Sequence, residues 1–340
     1  MVGDRPLGVG VIGAGAVTQA IHVPTIASLG DRLRVIHVFD VAADVAEAVA
    51  TCCSARSTTD LQVLLDDPAV DVVAICSPHA FHAEHVEAAC AAGKRAILCE
   101  KPLAVTLDQV WTIDRACRTA GAHLIVGAMH TWDPAYVAAS AAWGDLPHEA
   151  RLVRSVIYLP DNASMVDSAT ELLSAGGVAP GGTVAPDTEQ MHWAALGLAI
   201  HNLPLVRQFV PTIDEVSLAA NLRPWGYVVA LRGGDCLVEL IGMMPGEWRP
   251  DWTFDVWAPS ASLHVSFPPS YVLAGSAQVL LRAPPTTTSW RFTHNGYQAE
   301  WQHLADVVDG RAELAIPLQT AVDDMTYALD IAERAEAALQ

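Results

Sequence analysis

The chain has 340 residues, 52% of them apolar, and carries 38 acidic against 19 basic side chains, a net charge of −19. That balance argues against nucleic acid or an anionic lipid surface as partner, because either needs a basic face. No window of about 18 uncharged apolar residues occurs, so no membrane span is expected, and residues 1–5 lead straight into a strand and a glycine turn, unlike a signal peptide. Seven cysteines, an odd number with no C-x-x-C pair, read as reduced, buried residues of a cytoplasmic protein and suggest neither zinc nor a redox motif. The length suffices for two domains.

Residues 7–12 form a short apolar strand that runs into Gly13-Ala14-Gly15-Ala16-Val17-Thr18 and a helical stretch over 18–29. This is a G-x-G-x-x turn in its required strand–turn–helix setting. Gly13 permits the tight turn, Gly15 lets a pyrophosphate approach the backbone, and the helix start at Ala16 and Val17 offers free N–H groups. Thr18 stands where a smaller residue is usual and is expected to loosen helix–strand packing. The next strand, 34–39, ends in Asp40, whose carboxylate suits two ribose hydroxyls and would repel a 2′-phosphate. No base follows it, only Val41, Ala42 and Ala43. NAD is therefore expected rather than NADP; the other reading of Asp40 is a helix N-cap.

The alternation continues with helices over 45–53 and 61–65 and an all-apolar strand over 70–76, suited to a sheet covered on both faces. That strand ends in Ser77-Pro78-His79-Ala80-Phe81-His82, and a helix over 83–92 is closed by Gly93. A strand over 95–99 leads to Glu100-Lys101-Pro102; a helix over 107–120 and a strand over 123–128 follow. Such repeats predict a doubly wound α/β domain around a parallel sheet, ending near Gly127. Lys101 is one of two lysines, with Lys94, beside 17 arginines. Burial brings a lysine into a range where it can give or take a proton; the plain alternative is a solvated strand-end lysine.

The order of Gly13-Ala14-Gly15, His22-Val23-Pro24, Asp40, Ser77-Pro78 with His82, Ala92-Gly93-Lys94, Glu100-Lys101-Pro102 and residues 127–134, followed by Gly296-Tyr297-Gln298-Ala299-Glu300 and Ile316-Pro317-Leu318, resembles the glucose–fructose oxidoreductase / inositol dehydrogenase (Gfo/Idh/MocA) family. The likeness covers nearly the whole chain, and Glu100-Lys101-Pro102 is its most specific element. It implies a Rossmann domain over 1–127 that binds NAD through Gly13, Gly15, Ala16, Val17, Asp40, Ser77, Pro78, His79, His82, Glu100 and Lys101. It further implies an α+β substrate and oligomerisation domain over 128–316, with an open mixed or antiparallel sheet, and a last helix over 317–340 packing back on the body. Strand-like stretches at 151–159, 216–222, 227–231, 236–242, 253–257, 263–267 and 277–281 fit that sheet. An open face needs cover, so a homodimer or homotetramer through it is expected.

In the family the lysine of Glu-Lys-Pro lies near the nicotinamide, and a helix of the second domain carries Asp-x-x-x-His. This chain departs from that pattern. Read forward from Gly181-Gly182, Asp187 takes the Asp place, Met191 the His place, and His192 comes one late. Read backward from His201-Asn202-Leu203-Pro204, His201 is the histidine and Gly197 replaces the Asp. On a single helix over 187–209, Ala194, Gly197 and His201 share a face, and Asp187 becomes an N-cap completed by Gln190. His201 is the leading acid/base candidate and His192 the alternative; the plain reading of His201 is a hydrogen-bonded core histidine. His130 stands near where the family often has a basic residue, and Trp132 offers an apolar wall. Lys101, His130, Trp132, Gly197 and His201 are thus the expected substrate residues. His22 reads as structural, and no metal site is expected from His79, His82 and His85.

The leading expectation is an NAD-dependent oxidoreductase that moves hydride between the nicotinamide and a hydroxyl, carbonyl or imine carbon of a small cyclic or sugar-like substrate, with Lys101 polarising or protonating it. The alternatives are a non-catalytic dinucleotide sensor of the same fold and a lyase-type enzyme that recycles tightly bound NAD.

Overall fold

The computed structural model describes residues 5–160, 162–173, 190–244, 251–269, 271 and 274–339. The chain divides into two units: Met1–Gly127 with Ala169–Pro180 and Tyr297–Met325, and Ala128–Ser168 with Gly181–Gly296 and Thr326–Gln340. Residues 297–316, given to the second domain by the sequence reading, thus group with the first unit. No helix among the described residues is long and apolar enough to cross a membrane.

The first unit holds a wholly parallel sheet of β1 (Leu7–Ile12), β2 (Leu33–Phe39), β3 (Arg56–Thr58), β4 (Val72–Ile75), β5 (Ala96–Glu100) and β6 (His123–Gly127), in the order β3-β2-β1-β4-β5-β6. Every residue of β1, β4 and β5 is buried, as the uninterrupted apolar runs require of strands covered on both sides. The strand order reverses between β1 and β4, so their C-terminal ends flank the crevice where open α/β sheets take ligands. Helices follow at Ala43–Cys53, Leu61–Leu65, His82–Ala91 and Leu107–Ala120. The last is capped by the Thr106 hydroxyl and closed by Gly121 at φ +63°. Thr18 does not loosen the turn. Its side chain is fully buried and its hydroxyl donates to the Gly13 carbonyl, closing the turn on itself.

The second unit holds β7 (Leu152–Tyr158), β8 (Glu215–Leu222), β9 (Gly226–Gly233), β10 (Cys236–Met243), β11 (Asp251–Trp257), β12 (Ser262–Ser266), β13 (Gln278–Ala283) and β14 (Thr286–Trp290) in the order β14-β13-β12-β11-β7-β10-β9-β8. Only β7 and β10 pair in parallel, so the sheet is mixed. Its strands alternate: Cys236, Val238 and Leu240 are buried, while Leu237, Glu239 and Ile241 face the other way. The single helix expected over 187–209 is instead three pieces: Gln190–Gly197, a 3₁₀ turn Ala199–His201, and Leu203–Phe209. Pro204 sits in the first turn of the last piece; it has no N–H to give a preceding turn, so a new helix starts there. Asp187 lies outside the described residues. Gln190 donates to the Gly226 carbonyl rather than turning back on a cap. Of the seven cysteines, Cys52 is exposed, contrary to the expectation of burial.

The helix Pro134–Ser140 starts at Asp133, which is buried and accepts three backbone N–H groups: Ala135 (2.9 Å) and Tyr136 (3.2 Å) on Oδ1, Ala277 (2.7 Å) on Oδ2. Asp133→Asn turns one acceptor into a donor facing the Ala277 N–H. It is expected to cost roughly 2 kcal/mol of unfolding free energy by denaturant titration; an unchanged midpoint would contradict this network.

Candidate functional site

The C-terminal ends of β1, β2, β4 and β5 bring most of the expected cofactor residues to one edge. Gly13 has φ +93°, and a Cβ there would lie 2.8 Å from the Cys76 carbonyl carbon and the Ser77 nitrogen, so only glycine lets the turn close on β4. Gly15 is the opposite case: nothing lies within 4 Å of its Cβ position. The backbone is bare where a diphosphate needs close approach, with Ala16 and Val17 part-exposed at the helix start. Asp40 is fixed by the Ala14 N–H on Oδ2 (2.8 Å) and the Ala42 N–H on Oδ1 (2.9 Å). The carboxylate therefore sits at the glycine turn, where a ribose would meet it; the bond from Ala42 also fits the N-cap-like alternative. This cradle fits a dinucleotide.

At the end of β5, Glu100 accepts the Lys101 backbone N–H on Oε2 (3.1 Å) and faces His22 Nε2 with Oε1 (2.8 Å). Burial alone would push its carboxyl up, but the His22 hydrogen bond, the Lys101 charge and the Lys101 N–H hold it below the ordinary value. Lys101 is shifted the other way. Burial lowers it, and Glu100 opposes only part of that loss. His79 lies close enough to Lys101 to feel its charge, and burial with that charge drives it down to about 4.

The polar side-chain atoms of His82 and Ser77 are engaged within the protein. His82 is fully buried, with Nδ1 2.8 Å from the Pro102 carbonyl and Nε2 2.9 Å from the Ser77 carbonyl. It ties the two strand-end turns together. The Ser77 hydroxyl pairs with His85 Nδ1 at 2.8 Å, while Pro78 is exposed. Among the described residues no group of three or more His, Cys, Asp or Glu is placed to hold a metal.

The second unit carries its own buried cluster. His130 faces the Asn202 Oδ1 with Nδ1 (2.7 Å), and Asn202 Nδ2 donates to the Ser155 hydroxyl (2.8 Å). Since that amide nitrogen faces Ser155, its oxygen accepts, and the His130 proton sits on Nδ1. Burial drives His130 down to about 3, so the ring is neutral. It stacks on Phe267 at 3.6 Å between centroids, and His201 lies 6.0 Å from it, both rings edge-on to Trp252. Sequence reasoning thus named both histidines but missed Asn202, Ser155, Trp252 and Phe267, whose alternating strand or helix positions look like ordinary core. Trp132 is buried to 8% exposure, leaving little ring to form a wall. Gly197 has open space at its Cβ position. His192 packs edge-on to Trp193, in the helix preceding His201.

The sequence model of a family described as "Oxidoreductase family, NAD-binding Rossmann fold" (GFO_IDH_MocA) matches residues 7–128. Inositol 2-dehydrogenase 2 of Paenarthrobacter aurescens is 30% identical over 278 residues, 72% of this chain and 82% of that protein. The inositol 2-dehydrogenase of Paracoccus denitrificans is 40% identical over 139 residues, 40% of this chain and 41% of that protein. Against this and other curated relatives the match spans only about two fifths of their length or less. KijD10, a 3-ketoreductase from Actinomadura kijaniata solved with NADP and TDP-benzene, shares the fold at TM-score 0.74 and 16% identity, over 99% of this chain and 98% of that one. On the strength of the long inositol dehydrogenase match and the family pattern over the first unit, the chain belongs to the Gfo/Idh/MocA family of NAD(P)-binding oxidoreductases.

Proposed function

We propose that this protein is an NAD(H)-dependent dehydrogenase or reductase acting on a hydroxyl, carbonyl or imine carbon of a small cyclic or sugar-like substrate, with Lys101 as the proton group. The observation that carries the reading is Lys101 itself, a lysine lowered by burial at the ligand edge of a dinucleotide sheet, next to a retained carboxylate. The cofactor, when bound, supplies the hydride chemistry. In the reducing direction Lys101 gives its Nζ proton to the substrate oxygen or nitrogen; in the oxidising direction it takes that proton back. His201, beside the neutral His130, is the second proton group we assign to the reaction. The relatives named as inositol dehydrogenases support a cyclic polyol as the first substrate to try.

NAD is preferred because Asp40 presents a carboxylate where a 2′-phosphate would need a base, and residues 41–43 provide none. The neighbouring fold solved with NADP is too distant in sequence to weigh against this. A homodimer or homotetramer would cover the open sheet face, where Leu152, Val156, Tyr158, Leu237 and Ile241 stand half-exposed.

In fluorescence titrations NADH is expected to bind at least about tenfold more tightly than NADPH, roughly 1.4 kcal/mol. Gly15→Ala loses that binding with its unfolding midpoint intact, whereas Gly13→Ala loses stability; an NADPH preference would remove the Asp40 argument. Lys101→Ala keeps NADH binding but loses turnover with myo-inositol, or another polyol found by screening, by on the order of 10²–10⁴-fold. In the native enzyme kcat/KM for oxidation rises with pH through the lowered lysine value, because the base must be neutral, and that for reduction falls through it. Sedimentation at micromolar concentration shows a dimer or larger, and Ile241→Glu on the open face reduces it to monomer; a native monomer would rule out the covered face.

A further inference from the structure

Two residues far from Lys101 in sequence converge on the carboxylate beside it. Trp301, on the helix Gly296–Val308, is fully buried, and its indole Nε1–H donates to His22 Nδ1 at 3.1 Å. His22 is also fully buried, and its other nitrogen faces Glu100 Oε1 at 2.8 Å. Burial disfavours the imidazolium, but Cys76 and Glu100 more than offset it and pull His22 well above its ordinary value, so only the indole stands against a second ring proton. An indole N–H can only donate, so Nδ1 must keep its lone pair and the ring proton must sit on Nε2, pointing at Glu100. The ring is then neutral and Glu100 keeps its full charge. The remaining Glu100 oxygen takes the Lys101 backbone N–H.

We infer that Trp301 and His22 are positioning residues for Lys101: the indole selects the imidazole tautomer, and the imidazole holds Glu100 as an anion against the lysine. The inference rests on the reading of Lys101 as the proton group. It gives His22 a task beyond packing and makes the tail of the chain part of the chemistry at β5. Losing the indole donor frees Nδ1 to take a proton. The resulting imidazolium would cancel the Glu100 charge, and Lys101 would then release its proton at lower pH.

Among the described residues, the titratable groups linked to Lys101, Glu100 or His22 carry no competing charge near neutrality. From the turn and helix after β4, His79 is driven down to about 4 and His82 is lowered, both mainly by burial. From β5, the Cys99 thiol is pushed up by burial. From the helix Gly296–Val308, Glu300 is fully buried; neither carboxyl oxygen has a hydrogen-bond partner among the described residues, and burial with the nearby Glu100 charge keeps it protonated. Cys76 on the β4 side faces His22. Among the described residues, Glu100 is the charge that raises Lys101, so a Lys101 titration responds to it.

The chain's two lysines make that titration direct. Protein labelled with [13Cε]lysine gives two signals, assigned with Lys101→Arg, whose shifts against pH yield the Lys101 midpoint without substrate or cofactor. Trp301→Phe, which keeps the ring but removes the donor, and His22→Leu are each expected to lower the midpoint by about one pH unit, tenfold in the equilibrium. Glu100→Gln sets the full size of the effect. His22→Gln, whose side-chain N–H still reaches toward Glu100, is expected to stay near the native value. If Trp301→Phe does not fold, the His22→Leu and His22→Gln pair decides alone. A midpoint that follows Glu100→Gln but ignores Trp301→Phe and His22→Leu overturns the inference and leaves the oxidoreductase reading intact. A midpoint that ignores Glu100→Gln overturns it as well. Failure of Lys101→Ala to reduce turnover would instead strike the functional reading.

Discussion

A carboxylate taken out of water costs several kcal/mol unless its lone pairs are met. Glu100 is that carboxylate, with 8% of its surface exposed at the end of a wholly buried strand. Much of the first unit's local design follows from keeping it charged. His22 supplies a ring N–H, and the chain supplies the next backbone N–H. Gly127, on the neighbouring strand, leaves the room: a Cβ there would stand 3.1 Å from Glu100 Oε1. The lysine that follows is part-exposed; desolvation lowers its proton affinity, and the surviving carboxylate offsets part of that loss.

The second unit handles polarity in the opposite way. Its central cluster holds no buried ion: His130 is neutral, Asn202 and Ser155 complete a chain of neutral hydrogen bonds, and Phe267 and Trp252 close around the ring. Hydrogen bonds of this kind fix direction and shape rather than balance charge.

The glycine turn, Asp40 and Glu100-Lys101-Pro102 were legible because each is local: a backbone constraint or a charge stands beside a continuous apolar strand. The parallel sheet followed from strand–helix spacing for the same reason. What was not legible is what sequence separation hides. Trp301 meets His22 across 279 residues, and nothing in its helix sets it apart from other buried aromatics. The edge strand Thr286–Trp290 was missed because its residues are mostly exposed and carry no apolar alternation. The expected long helix broke at Pro204, a signal present in the sequence but outweighed by a periodicity that ran through it. The open register of the second-domain histidine reflects residues 174–189, which stand outside the described ones.

The first unit is not contiguous along the chain, and that sets an order of events during synthesis. Glu100 and His22 are made early, but the indole that completes their hydrogen-bond chain comes 201 and 279 residues later, in the segment Tyr297–Met325. At about 5–20 residues per second, the gap after Glu100 amounts to roughly 10–40 s on the ribosome. Through that interval the nascent β5 edge holds a charge and an imidazole without the donor that fixes their proton. The first unit therefore matures only when nearly all of the second has been made, which ties the two into one biosynthetic step.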